Sequence, residues 1–136
     1  MTHDPHRVPH PPYAIAIRRD LIAQHYLRGD AVPSEKIVHS HHYNVEVRVA
    51  GSDLNEDGYL VDILDLESHL QDLIGHYQDR TLNDLPEFKN LNPSIEHLAR
   101  LFCVAMTSRL KAPRIATLSV RIWESEEAWA QYRQDL

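Results

Sequence analysis

The sequence predicts an α+β fold: a four-stranded antiparallel sheet with two helices on one face, in the order β-β-α-α-β-β. Three observations predict it. Apolar and polar residues alternate before residue 51 and again after residue 113, which is the period of a half-buried strand. Two stretches between those regions carry apolar residues at spacings of three and four, the period of a helix packed along one side. Turn-forming residues separate the segments, and helices segregated from strands in this way pack on one face of a sheet.

The elements follow in order. Residues 1–12 hold four prolines and three histidines (His3, His6, His10) with no periodic pattern, and read as a flexible tail before a single domain over 13–136. From Tyr13 to Leu27, "YAIAIRRDLIAQHYL" puts Tyr13, Ile15, Ile17, Leu21, Ala23, His25 and Leu27 on odd positions. This is the pattern of a long strand, bulged near "RRD", with a helix left open by this run alone. The polar loop "RGDAVPSEK" leads to a second strand over about 41–50, with Tyr43, Val45, Val47 and Val49 inward and Asn44, Glu46 and Arg48 outward. After the turn "GSDLNEDG", residues Ile63, Leu66, Leu70, Leu73, Ile74 and Tyr77 mark the first helix. Asn92 as N-cap and Pro93 at the first helical position open the second, whose stripe is Ile95, Leu98, Ala99, Phe102 and Met106. In "RIATLSVRIWES", Ala116, Leu118, Val120 and Ile122 share one face, and "AWAQYRQ" is a short strand or a frayed end. An open sheet has edges to protect, so association through those edges is expected.

Composition narrows the function classes. The chain has 136 residues, 43% hydrophobic and 25% charged, which favours neither disorder nor a membrane class. No apolar run approaches the length of a transmembrane helix, and "MTHDPHRVPHPP" lacks the apolar core of a secretory signal, so a cytoplasmic location is expected. A formal net charge of −6 leaves no electrostatic footprint for nucleic acid. The one cysteine, Cys103, excludes a disulfide framework and a cysteine-rich zinc site.

The histidines carry the first chemical signal. "VHSHHY" leads straight into the second strand, and strand alternation points His39 and His41 to one face and His42 to the other. Catalytic zinc takes three protein ligands and leaves one position open. His25, late on the neighbouring strand and on the parity of its apolar face, is the candidate third ligand. A pair of hydrogen-bonded structural histidines is the competing reading. His69, His76 and His97 lie on the helices among polar neighbours and read as solvated. Glu124 continues the row of Ala116, Leu118, Val120 and Ile122. Such a carboxylate either emerges into solvent or accepts two parallel N–H bonds from a planar heterocycle, such as a 2-amino-4-oxopyrimidine ring.

Five segments in the same order resemble the 6-pyruvoyl-tetrahydropterin synthase and 6-carboxytetrahydropterin synthase family. They are "AQHYL", "HSHHY", "GYLVDILDLESHL", "LND" followed by "NPSIEHLA", and "RIWES". The resemblance implies the tunnelling fold, in which subunits pair sheet edges into rings and two trimeric rings stack into a hexamer. It carries His25, His39 and His41 onto the zinc ligands and Glu124 onto the pterin anchor. Glu96 falls on a second carboxylate near the pocket, although an acid early in a helix is also favoured by the helix dipole. The implied substrate is 7,8-dihydroneopterin triphosphate, the cofactor is zinc, and the pathway is of the queuosine, folate or biopterin kind.

The chain also departs from that pattern. The family places a catalytic Cys four residues before its first motif histidine; here the residue is Glu35. The family has Asp-His before Leu-Asn-Asp; here Gln78 and Asp79 stand there. Cys103, on the second helix, reads as a small core residue and not as a replacement. Glu35 is the candidate base, with an exposed loop glutamate as the plain alternative, and Asp79 is a candidate proton relay or an ordinary loop residue. Two functions are therefore open: a zinc-dependent pterin lyase with substituted acid–base groups, or a relative that binds metal and a pterin-like ligand and performs a different reaction or none. A third template, a cupin-like His-x-His followed by Glu46, conflicts with the two helices and with Glu46 facing away from His39 and His41.

Overall fold

A computed structural model describes residues 10–136. Residues 1–9, which include His3 and His6 of the expected tail, lie outside the described residues.

The chain forms β1 (Tyr13–His25), β2 (His39–Gly51), α1 (Ile63–Tyr77), α2 (Ile95–Arg109), β3 (Thr117–Trp123) and β4 (Trp129–Asp135). The strands lie in the order β1-β2-β3-β4, each antiparallel to its neighbour. This is the expected architecture. Because α1 and α2 are inserted between the two central strands, both fall on one face of the sheet, where the inward rows wait for them.

Those rows are the ones the alternation marks. Leu21, Ala23, Val45, Val47, Val49, Leu118, Val120 and Ile122 are fully buried. Leu66, Leu70, Leu98, Phe102 and Met106 cover them from the helices and are buried as completely. Each of these side chains larger than alanine contributes about 1.5–3 kcal/mol relative to exposure. Ile63 departs from its expected place: it stands at the first position of α1 and is largely exposed.

Three local details differ from the sequence reading, and one alternative left open there is decided. The ladder of β1 on β2 is continuous from Tyr13↔Gly51 to His25↔His39, with no bulge at "RRD". The pairing of thirteen successive residues also carries β2 back to His39, so all three candidate ligands sit at one end of the ladder. The last segment is a full seven-residue strand on β3 rather than a frayed end. The N-cap of α2 is Ser94, whose hydroxyl accepts from His97 N, and not Asn92. Asn92 is used elsewhere: its side-chain oxygen accepts from Arg28 N at 3.0 Å.

The sheet face away from the helices is tied together by polar and aromatic contacts. Arg18 donates twice to Oε2 of Glu46, at 3.1 and 3.0 Å, and lies over the ring of Trp123. Arg121 stacks on Trp129 at 3.9 Å, within cation–π range. Among the described residues no helix is long and apolar enough to cross a membrane.

Candidate metal centre and adjoining cavity

The last rung of the β1–β2 ladder pairs His25 with His39, and His41 pairs with Ala23 two residues along. Alternation then points all three imidazoles to the helix side. Their ring centroids form a near-equilateral triangle with sides of 4.7, 4.8 and 5.0 Å. One ligand atom from each lies within 4.8 Å of the others. His42 points the opposite way and bonds Asp20 at 3.1 Å, as the alternation requires. The other helical histidines hold local partners: His69 faces Asp65, and His76 bonds Glu87 at 2.8 Å.

Two clamps hold the strand end that carries His25. The side chain of Asn83 both accepts from Tyr26 N (3.0 Å) and donates to Tyr26 O (2.9 Å), while Asn92 holds Arg28 N. Leu27 N donates to Glu35 O at 2.7 Å, which fastens the 3-10 turn Pro33–Lys36 beside the same strand end. Glu35 is half-buried there.

The donor set suits a zinc ion. His39 Nδ1 lies 2.8 Å from Ile37 O; a carbonyl carries no proton, so Nδ1 is the protonated nitrogen and Nε2 holds the free lone pair. His25 is 2% exposed, its Nδ1 is 3.0 Å from the hydroxyl of Tyr43, and its Nε2 is buried with no partner. A buried imidazole nitrogen without a partner is costly unless something coordinates it. Burial, reinforced by neighbouring His41 and His39 and opposed more weakly by the nearby Pro93 carbonyl, lowers the pKa of His25 to about 4, so the ring is neutral and able to ligate at neutral pH. Three imidazole ligands leave the fourth position of a tetrahedral ion open.

Glu124 lies just past β3, with Oε1 3.9 Å from Nε2 of His41. A cavity of about 510 Å³ opens beside it, lined among others by Arg18, His42, Tyr43, Trp123, Glu124 and Glu126. That size is within the roughly 300–1,000 Å³ usual for small-molecule sites. Burial, with the Glu124 charge nearby, pushes the Tyr43 hydroxyl well above its ordinary pKa and keeps it protonated.

The remaining candidates lie apart from the triad's ligand set. Glu96 is exposed in the first turn of α2. Asp79 has φ 60, and its backbone N–H donates to Ile22 O at 2.7 Å. The side-chain oxygen of Gln78 accepts from Ile22 N, so this pair is engaged with the outer edge of β1. Tyr43 is the site residue that reading the sequence missed, because it was counted as one of an apolar row. A tyrosine among valines was the available signal, since a buried hydroxyl needs a partner.

The same fold occurs in known proteins. An Archaeoglobus fulgidus protein, provisionally assigned as a 6-carboxy-5,6,7,8-tetrahydropterin synthase, is 26% identical over 116 residues, 83% of this chain and 93% of the relative. The structure of Caenorhabditis elegans 6-pyruvoyl tetrahydropterin synthase superposes with a TM-score of 0.75 at 18% identity, covering 94% of this chain and all of that one. A Plasmodium vivax 6-pyruvoyltetrahydropterin synthase, solved with a catalytic glutamate replaced by alanine, gives 0.76 at 14% identity over 91% of this chain and 98% of its own. The family model for 6-pyruvoyl tetrahydropterin synthase matches residues 14–135, a span that takes in every strand, both helices and the whole histidine triangle but for Tyr13 at the first strand's start. With so nearly complete a match, the chain belongs to the 6-pyruvoyl tetrahydropterin synthase family.

Proposed function

We propose that this protein is a zinc-dependent lyase or synthase acting on the side chain of 7,8-dihydroneopterin triphosphate, with substituted acid–base groups. The observation that carries the reading is the His25, His39 and His41 triangle with the Glu124 carboxylate 3.9 Å from His41; Glu124 also lines the cavity, which the three histidines do not. His25, His39 and His41 would hold zinc, which when bound supplies Lewis-acid polarisation of the side-chain hydroxyls. Glu124 accepts two parallel N–H bonds from the pyrimidine edge and sets the side chain toward the triad. Glu96 is assigned to the pocket rim.

Glu35 is the base in this reading. Its main chain is fastened beside the strand end that carries His25, and the residue is half-buried there. The glutamate called catalytic in the Plasmodium vivax relative supports a carboxylate in this role. Asp79 is the one ionisable group left where the family pattern has its Asp-His pair, and is assigned to proton relay.

One observation favours a second reading, in which the family scaffold runs a different reaction, such as 6-hydroxymethyl-dihydropterin formation, or none. Gln78 spends its side chain on the main chain of Ile22. Incubating zinc-loaded protein with 7,8-dihydroneopterin triphosphate and identifying every pterin by mass spectrometry separates the two. A side-chain-modified product that disappears in Glu35→Ala supports the lyase and names its branch. Unchanged substrate despite measurable pterin binding selects the second reading.

The proposal extends to assembly and location: a cytoplasmic homohexamer of two stacked trimers. The two free edges of the sheet suit pairing between copies. Ile22 and Gln24 turn their main-chain groups outward to residues 78–80, so the even residues Ala14, Ala16, Arg18 and Asp20 turn theirs outward as well. Among the described residues the latter four remain open to a partner strand, opposite the edge of β4 that no described strand pairs.

A further inference from the structure

We propose that Tyr43 is a positioning residue of the metal site: its hydroxyl fixes the His25 ring through Nδ1 and so aims Nε2 at the centre of the triangle. The inference rests on the metal reading above.

Three imidazoles bind one cation only if each offers a lone pair to a common point, which requires a set tautomer and a set ring rotation for each. The carbonyl of Ile37 does this for His39. His25 is different, because it is buried and water cannot set its tautomer. Its Nδ1 lies 3.0 Å from the Tyr43 hydroxyl, and its Nε2 is the partnerless atom. A phenol donates or accepts with equal ease. When Nε2 gives its lone pair to a cation, Nδ1 holds the proton and the Tyr43 oxygen accepts it.

Tyr43 is itself held firmly. It is 1% exposed, and its ring stacks on His41 with centroids 5.4 Å apart and planes 20° from parallel. One side chain therefore orders two ligands, one by a hydrogen bond and one by a stacked ring. A phenylalanine keeps the stacking and removes the hydrogen bond alone.

The test is zinc affinity of Tyr43→Phe by competition with a chromophoric chelator, with the visible spectrum of the cobalt(II)-substituted protein recorded alongside. The expected result is a dissociation constant about 10- to 100-fold higher than wild type and an altered cobalt spectrum. Affinity within about twofold, with an unchanged spectrum, overturns the proposal; the threshold is far below the effect of losing such a partner. Should the variant fail to fold, the wild type decides: nitrogen-15 NMR of the zinc-loaded protein must show His25 protonated at Nδ1, and an unprotonated Nδ1 overturns it. Wild type that takes up no stoichiometric zinc removes the metal reading and this inference with it. Wild type and Tyr43→Phe binding zinc equally well removes this inference alone.

Discussion

The carboxylate of Glu124 stands 3.9 Å from Nε2 of His41, although one lies just past the end of β3 and the other is the third residue of β2. The β2–β3 ladder stops at Asn44↔Trp123, so past that rung the two strands part and the residues beyond them frame an opening. A ligand anchored at Glu124 would lie within reach of the triad. Glu124→Gln should weaken binding of 7,8-dihydroneopterin by about tenfold to a hundredfold, the loss of a charge-assisted hydrogen bond, and leave zinc content unchanged. Fluorescence titration and elemental analysis measure the two. Unaltered pterin binding would return Glu124 to a strand end in water.

The faces of β2 make a second expectation. His39→Ala removes a corner of the triangle and should abolish stoichiometric zinc in purified protein. His42→Ala removes the pair with Asp20 on the other face, takes no corner from the triangle and should leave zinc in place. Equal zinc in wild type and both variants would sink the assignment.

Burial of His25 makes the metal-free protein acid-sensitive. Its folded pKa is about 4 against an ordinary 6.5. Between those values the unfolded chain takes up a proton that the folded chain refuses, so stability is lost as the pH falls. The slope from this group is at most about 1.4 kcal/mol per pH unit. Denaturant midpoints of metal-free wild type and His25→Gln at pH 7, 6 and 5 should diverge in that direction. Parallel curves would show that another group governs the acid limb.

Edge pairing is tested by Ala16→Pro. Ala16 is exposed, and its N–H points away from β2, so proline there removes a donor from the open edge only. The expected outcome is a folded protein of smaller mass by light scattering. An unchanged mass would show that copies do not meet along β1.

Much of this was legible in the sequence, for a physical reason. Alternation fixes the face of every strand residue, so His25, His39 and His41 could be grouped and His42 set apart without coordinates. Helical spacing likewise marked the buried stripe of α2. Register was not legible, because a row of apolar residues packs equally well at several offsets; hence the bulge expected at "RRD" and the late start given to β2. Polar side chains that act on distant main chain were hidden as well. Asn83, Asn92 and Gln78 hold Tyr26, Arg28 and Ile22, contacts between residues far apart in the chain that no local pattern announces. Tyr43 belongs with these, since its ring follows the apolar pattern while its hydroxyl answers to His25.

The unbroken β1–β2 ladder has a consequence for how the chain is made. Sliding β2 by one residue would swing its histidines to the far face, and sliding it by two would part His25 from His39. The first mistake also turns Val45, Val47 and Val49 out of the core, so burial alone rejects it; the second keeps those residues inward and still yields a compact, largely buried sheet. Zinc would discriminate where the hydrophobic effect does not, since only the correct alignment assembles three nitrogens around one point. The ion would then proofread strand alignment, and the metal content of a preparation would count correctly assembled molecules.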